Sequence, residues 1–83
     1  MVFEKLKAVI AGVLKVDPEE ITPESTFVQD LGADSLDLYQ ILTRVEDIFG
    51  IVIERQEAEH LVTAGDAAEL IQRVTAREGN RKQ

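Results

Sequence analysis

Ser35 is the hydroxyl in this chain whose neighbours best prepare it for chemistry. It sits in the run Leu31-Gly32-Ala33-Asp34-Ser35-Leu36-Asp37-Leu38, where a loop becomes a helix. Asp34 is a good N-cap, Asp37 follows three residues later, and an amphipathic stretch comes directly after, which together read as a helix start. Gly32 lets the chain turn sharply before that start. The Ser35 oxygen is thus presented near a helix N-terminus, where free backbone N–H groups and the helix dipole favour an attached phosphate. That is a suitable anchor for a phosphodiester. By itself, though, an Asp-Ser pair is far more often a plain helix cap.

Other chemistries fit less well. A serine hydrolase needs a base and an oxyanion hole beside its nucleophile. The only histidine, His60, is expected on a short helix and partly exposed, and Gly32-x-x-Ser35 does not match the Gly-x-Ser-x-Gly elbow. No catalytic residue is expected, and the chain does not read as an enzyme. Asp30, Asp34 and Asp37 miss the alternate-position register of a calcium loop and its closing glutamate, so no metal site is expected. The absence of cysteine removes disulfides, thiolate metal sites and a cysteine nucleophile.

The elements around Ser35 can be read from spacing. Phe3, Leu6, Val9, Ile10, Val13 and Leu14 recur at helical intervals and predict a first helix over about residues 2–15, stopped by Asp17-Pro18. A long connection over 16–34 follows, with Val16, Ile21, Phe27 and Leu31 spaced to pin it to the core. The second helix is predicted over about 36–49, ending at Gly50 in the left-handed conformation. Leu38, Ile41, Leu42, Val45 and Phe49 form its buried stripe. Leu36, Gln40, Thr43 and Asp47 then face solvent, which leaves Leu36 apolar and outward beside Ser35.

Ile51-Val52-Ile53 has strand propensity but no second strand to pair with, so it reads as a bridge to a short helix near 56–61. A last helix starts near Thr63, whose Thr-x-x-Asp pattern with Asp66 suggests a capping box. It buries Ala64, Ala67, Ala68, Leu70, Ile71 and Val74. The expected fold is all-α: a small antiparallel bundle of three main helices plus one short one, with a long loop between the first and second. Residues 1–77 form one domain, and 78–83 are expected to be a frayed tail.

At 83 residues the chain has room for one core, and its 45% apolar content is that of a folded domain. The net charge of −7 argues against nucleic acid, which needs a basic surface, and favours docking to basic patches on proteins. Glu4 and Lys5 follow Met1-Val2-Phe3 at once, so no signal peptide is expected, and no apolar run approaches membrane-spanning length. A cytoplasmic monomer without membrane insertion is expected.

The Asp34-Ser35-Leu36-Asp37 core resembles the phosphopantetheine attachment motif of acyl carrier proteins. So does its setting, with Phe27 and Leu31-Gly32 before it and Val45-Glu46-Asp47-Ile48-Phe49-Gly50-Ile51 after it. The resemblance runs from about Phe3 to about Val74. It implies that a phosphopantetheinyl transferase moves 4′-phosphopantetheine from coenzyme A onto Ser35, and that the arm holds acyl groups as thioesters. The implied partners are acyl-synthesis enzymes: ketosynthases, reductases, dehydratases and acyltransferases. Polyketide, aminoacyl or peptidyl cargo is the alternative within the carrier class. An unmodified helical adaptor is the alternative outside it.

The resemblance also implies a docking face and an acyl pocket. The face comprises Asp34, Leu36, Asp37, Glu46 and Asp47, with Ile53 as an apolar contact beyond the helix. Exposed charges stabilise a fold little, roughly 0–1 kcal/mol per pair, so losing these acids is expected to weaken docking more than folding. The pocket implied between the helices is lined by Phe27, Ile41, Val45, Ala58, Leu61, Ala67 and Ile71, with Leu38 at its mouth where the family often has threonine. Gln40 stands where many fatty-acid-synthesis carriers have glutamate, and Arg44 where a small apolar residue is usual. Tyr39 and Thr43 replace aliphatic or methionine contacts. One acid lost and one base gained on the docking face point to a dedicated pathway, since charge of the wrong sign penalises a partner.

Overall fold

The computed structural model describes residues 2–79. Four helices follow in order: α1 (Val2–Leu14), α2 (Ser35–Phe49), α3 (Arg55–Ala58) and α4 (Ala64–Gly79), with a single 3₁₀ turn over Pro18–Glu20. The expected all-α architecture is what the chain adopts, and no strand forms among the described residues. The expected tail lies partly within α4, which continues through Gly79; residues 80–83 lie outside the described residues.

Helix α1 packs against both α2 and α4 and is the centre of the bundle. Its Leu6, Val9 and Ile10 are buried as expected, as are Ile41 and Val45 of α2 and Ala64, Ala67, Leu70, Ile71 and Val74 of α4. α1 ends one residue earlier than predicted. Lys15 takes a left-handed φ of 61°, and the Val16 and Lys15 N–H groups both donate to the Ala11 carbonyl. This is a Schellman-type end built without glycine, so the helix stops before proline can act. Asp17 instead caps the 3₁₀ turn, accepting from the Glu19 N–H at 3.0 Å.

The long connection is anchored as the spacing suggested and by more besides. Ile21 and Phe27 are buried, while Val16 and Leu31 pack partly buried against the core. Ser25 is also buried, its hydroxyl accepting from the Thr22 N–H at 3.0 Å. An isolated antiparallel bridge pairs Thr26 with Thr63, flanked by Phe27 N–H to Val62 carbonyl and Ala64 N–H to Ser25 carbonyl. The loop before α2 is thereby tied to the loop before α4.

The segment from Ile51 to Thr63 is held largely by carboxylates. Glu46 Oε2 accepts from the Ile53 N–H at 2.7 Å. Glu57 Oε1 accepts from the Glu54 N–H at 3.2 Å, and its other oxygen faces Arg77 at 3.4 Å. Asp66 Oδ2 accepts from both Val62 and Thr63 N–H at 3.1 Å. The Glu54–Glu57 pairing starts α3 at Arg55 rather than 56, and the helix ends at Ala58. Glu59 and His60 follow in a turn, so His60 is exposed beyond α3 rather than on it.

Candidate functional site

The start of α2 is a reciprocal capping box. Asp34 Oδ1 accepts from the Asp37 N–H at 2.9 Å, and Asp37 Oδ2 accepts from the Asp34 N–H at 3.2 Å. Asp34 itself is extended, at φ −101° and ψ −176°, and Gly32 before it takes the left-handed φ of 71° that a side chain would strain. These two features deliver Ser35 as the first residue of α2, exposed to solvent. At the other end Gly50 closes α2 in the left-handed conformation, as its position predicted.

Ser35 opens onto a surface groove of about 770 Å³ that runs between the start of α2 and α3. Leu38, Tyr39 and Leu42 form the α2 wall, and Arg55, Ala58 and Glu59 the α3 wall. Exposed apolar surface lies in and near the groove: Tyr39 of its lining is 67% exposed, and Leu36, next to Ser35 in sequence, is 63% exposed. Val28 adds to it at 62%, a residue that spacing did not single out because it lies in irregular chain. Behind the groove lies an enclosed, apolar interior space of about 10 Å³, the volume of roughly one water-sized sphere. Seven of the eight expected pocket residues line this inner space: Phe27, Leu38, Ile41, Val45, Leu61, Ala67 and Ile71. The eighth, Ala58, lines the outer groove instead.

Leu38 and Leu42 border both spaces. They form the partition between groove and core and are half-buried, as is Phe49, so the predicted buried stripe of α2 is fully buried at Ile41 and Val45 alone. An inner space this small admits no chain of several methylenes unless that partition moves. The neighbouring α3 segment is the part of the wall with the least packing of its own, since α3 has one turn and no buried residue.

The candidate docking residues fall into distinct settings. Leu36, Tyr39, Gln40, Arg44 and Asp47 are exposed along α2. Asp34 and Asp37 are tied to each other's backbone, and Glu46 is half-buried on the Ile53 amide. Ile53 lines the inner space, and the exposed apolar side chain of that segment is Val52, at 63%. Arg44, Asp47 and Ile48 share a second shallow groove with Lys5 of α1, away from Ser35. Two carboxylates behind the α3 segment have lowered pKa values: Glu57, chiefly through the Glu54 N–H and then Arg77, and Asp66, chiefly through the Thr63 and Val62 N–H groups. Among the described residues no group of histidine, cysteine, aspartate and glutamate is arranged to hold a metal ion.

The residues present suit a group joined through a phosphodiester: an exposed hydroxyl at a helix start, beside a groove walled by Leu38, Tyr39, Leu42 and Ala58. Comparison with known proteins leads the same way. Residues 4–71 match the family model described as a phosphopantetheine attachment site. The chain is 46% identical over 70 residues to acyl carrier proteins of Helicobacter pylori strains G27 and HPAG1, covering 84% of this chain and 90% of each relative. A solved structure of a Mycobacterium tuberculosis protein assigned as an acyl carrier protein superposes with a TM-score of 0.82 at 36% identity, over 87% of this chain and 96% of that one.

Proposed function

The chain belongs to the acyl carrier proteins, which are carriers and not catalysts and bear covalent 4′-phosphopantetheine, and we propose that it bears that arm on Ser35 and shuttles acyl intermediates of fatty acid or related lipid or polyketide synthesis. The observation that carries the assignment of Ser35 is its exposed position as the first residue of α2, opening on the groove. When bound, the arm supplies a terminal thiol that holds acyl groups as thioesters. The chain's own contribution is positional. Asp34 and Asp37 fix the backbone on either side of Ser35, so its oxygen is offered outward to a transferase active site. In loading, the Ser35 oxygen forms a bond to the β-phosphorus of coenzyme A, the bridging P–O bond to adenosine bisphosphate breaks, and the serine proton leaves with the transferase.

Docking to the transferase and to acyl-synthesis enzymes is proposed for the exposed α2 face around Leu36, Tyr39 and Asp47. The acidic balance of the chain supports fast, weak encounter with basic partners. Gln40 and Arg44 on that face support a dedicated set of partners rather than the general fatty acid synthase. Acyl chains long enough to pass the Leu38–Leu42 partition would occupy the inner space. A cytoplasmic setting suits a cysteine-free chain in which no described helix is long and apolar enough to cross a membrane.

The test is intact mass after incubation with coenzyme A, magnesium and a broad-specificity phosphopantetheinyl transferase, with Ser35→Ala in parallel. One added phosphopantetheine on the wild type alone is expected. A folded, unmodified wild type that gains nothing would instead favour a helical adaptor.

A further inference from the structure

Loading Ser35 brings a phosphodiester, and with it one negative charge, to the mouth of a groove that already carries Asp34 and Glu59. The end of α2 offers that charge less than a free helix terminus would. The Asp37 N–H is already given to the Asp34 carboxylate, and the Asp34 N–H to Asp37. A cation on the facing wall would therefore add to what the remaining first-turn amides supply.

Arg55 is the cation that lines the groove. It is exposed, it stands on the opposite wall as the first residue of α3, and it is in neither of the ion pairs formed among the described residues, Lys7–Glu4 and Arg77–Glu57. An arginine can lay its aliphatic stem on apolar surface, here Ala58 and the α2 leucines, while its planar fork meets two phosphate oxygens. A lysine matches the charge but not the fork.

We propose that Arg55 is the counter-ion that holds the phosphodiester of a Ser35-linked arm down along the α2–α3 groove, and so is a positioning residue for the arm. The inference rests on the reading of Ser35 as the attachment oxygen. Glu59, the C-cap residue just past α3 and on the same wall, opposes the pairing and sets its strength. The arm then leans over Leu38 and Leu42, which puts the thioester end of short cargo beside the partition to the core. Raising the salt concentration releases it, because an exposed pair is screened.

The test uses the whole chain loaded with an isotopically labelled arm, with intact mass confirming equal loading in every variant. Nuclear Overhauser contacts from the arm's geminal methyl groups to Tyr39, Leu38 and Ala58 report docking. The wild type is expected to show these contacts. Arg55→Gln should cut them by roughly two- to fivefold, the range of an exposed ion pair. Arg55→Lys should restore part of them, Glu59→Gln should raise them, and about 0.5 M salt should reproduce the glutamine variant. Arg55 makes no side-chain hydrogen bond among those formed by the described residues, so the variants are expected to keep the fold, which amide shifts of α2 and α4 will check. A loaded wild-type arm without contacts to the groove overturns the proposal, as do equal contacts in wild type and Arg55→Gln. A chain that takes up no arm overturns the attachment reading and the proposal with it, and intact mass distinguishes that failure from the other two.

Discussion

Replacing Asp34 separates its two roles, as a cap and as a charge. Its carboxylate accepts the Asp37 N–H at 2.9 Å and stands at the positive end of α2. Asp34→Ala removes that bond, and loss of an N-cap costs about 1 kcal/mol. For a domain of 83 residues the unfolding entropy near the midpoint is about 170 cal/mol/K, so the expected fall in Tm is about 6 °C. Asp34→Ser keeps a capping oxygen and drops the charge, and is expected to melt within about 2 °C of the wild type. Thermal unfolding followed by circular dichroism gives the midpoints, and hydrogen exchange at the Asp37 amide shows whether the cap has opened. The reasoning fails if Asp34→Ala melts with the wild type, or if Asp34→Ser falls as far as Asp34→Ala. The second result would make the carboxylate a charge partner rather than a cap.

Gly65 donates its N–H to the Pro23 carbonyl at 2.8 Å, and a Cβ there would meet that oxygen at 2.9 Å. Gly65→Ala gains about 1 kcal/mol of helix propensity at most, against about 1–3 kcal/mol for overpacking against backbone, so Tm should fall; a rise would refute the contact. Asp66 is held below its ordinary value of 3.8 by the Thr63 and Val62 N–H groups, so its stabilisation is complete above that value and lost as pH falls through it toward the lower folded value. Asp66→Asn should therefore be less stable near neutrality and show a shallower loss below about pH 4; urea midpoints across pH 3–7 that run parallel to the wild type would contradict this. Turnover of loaded carrier by general fatty-acid-synthesis enzymes should improve in the double variant Gln40→Glu, Arg44→Ala, and unchanged rates would remove the case for dedicated partners.

Much of the fold was legible because its signals are local. The α2 stripe, its cap and its glycine stop are all written within Asp34 to Gly50, and each is in the structure. The end of α1 was not legible, because the same left-handed terminus is occupied there by Lys15, a residue type that rarely adopts it. Ser25 and the Thr26–Thr63 bridge were missed because their partners are distant or in irregular chain. At the site, seven of the residues that the family resemblance implied line the inner space. The division into an outer groove and a nearly closed inner space could not be read, since it depends on how far α3 stands from α2.

Acidity proved the least transparent property. A net charge of −7 suggested a docking face whose acids matter little to folding. In the structure, Asp34, Asp37, Glu46, Glu57 and Asp66 each accept a backbone N–H, and these bonds start a helix or hold the segment that carries α3. Such a carboxylate still projects its charge, but removing it also leaves an amide without its partner, at a cost above that of an exposed ion pair. Lost binding after truncating Glu46 to alanine would therefore report a loosened Ile53 and an altered cavity wall as readily as a lost docking contact. Asp47 is the candidate acid without such a bond among those formed by the described residues, and it is the position where charge removal reads docking alone. Partner affinities that fall with Glu46→Ala but hold with Asp47→Asn would place the recognition in the shape of the groove, and the reverse pattern would place it in the field of α2.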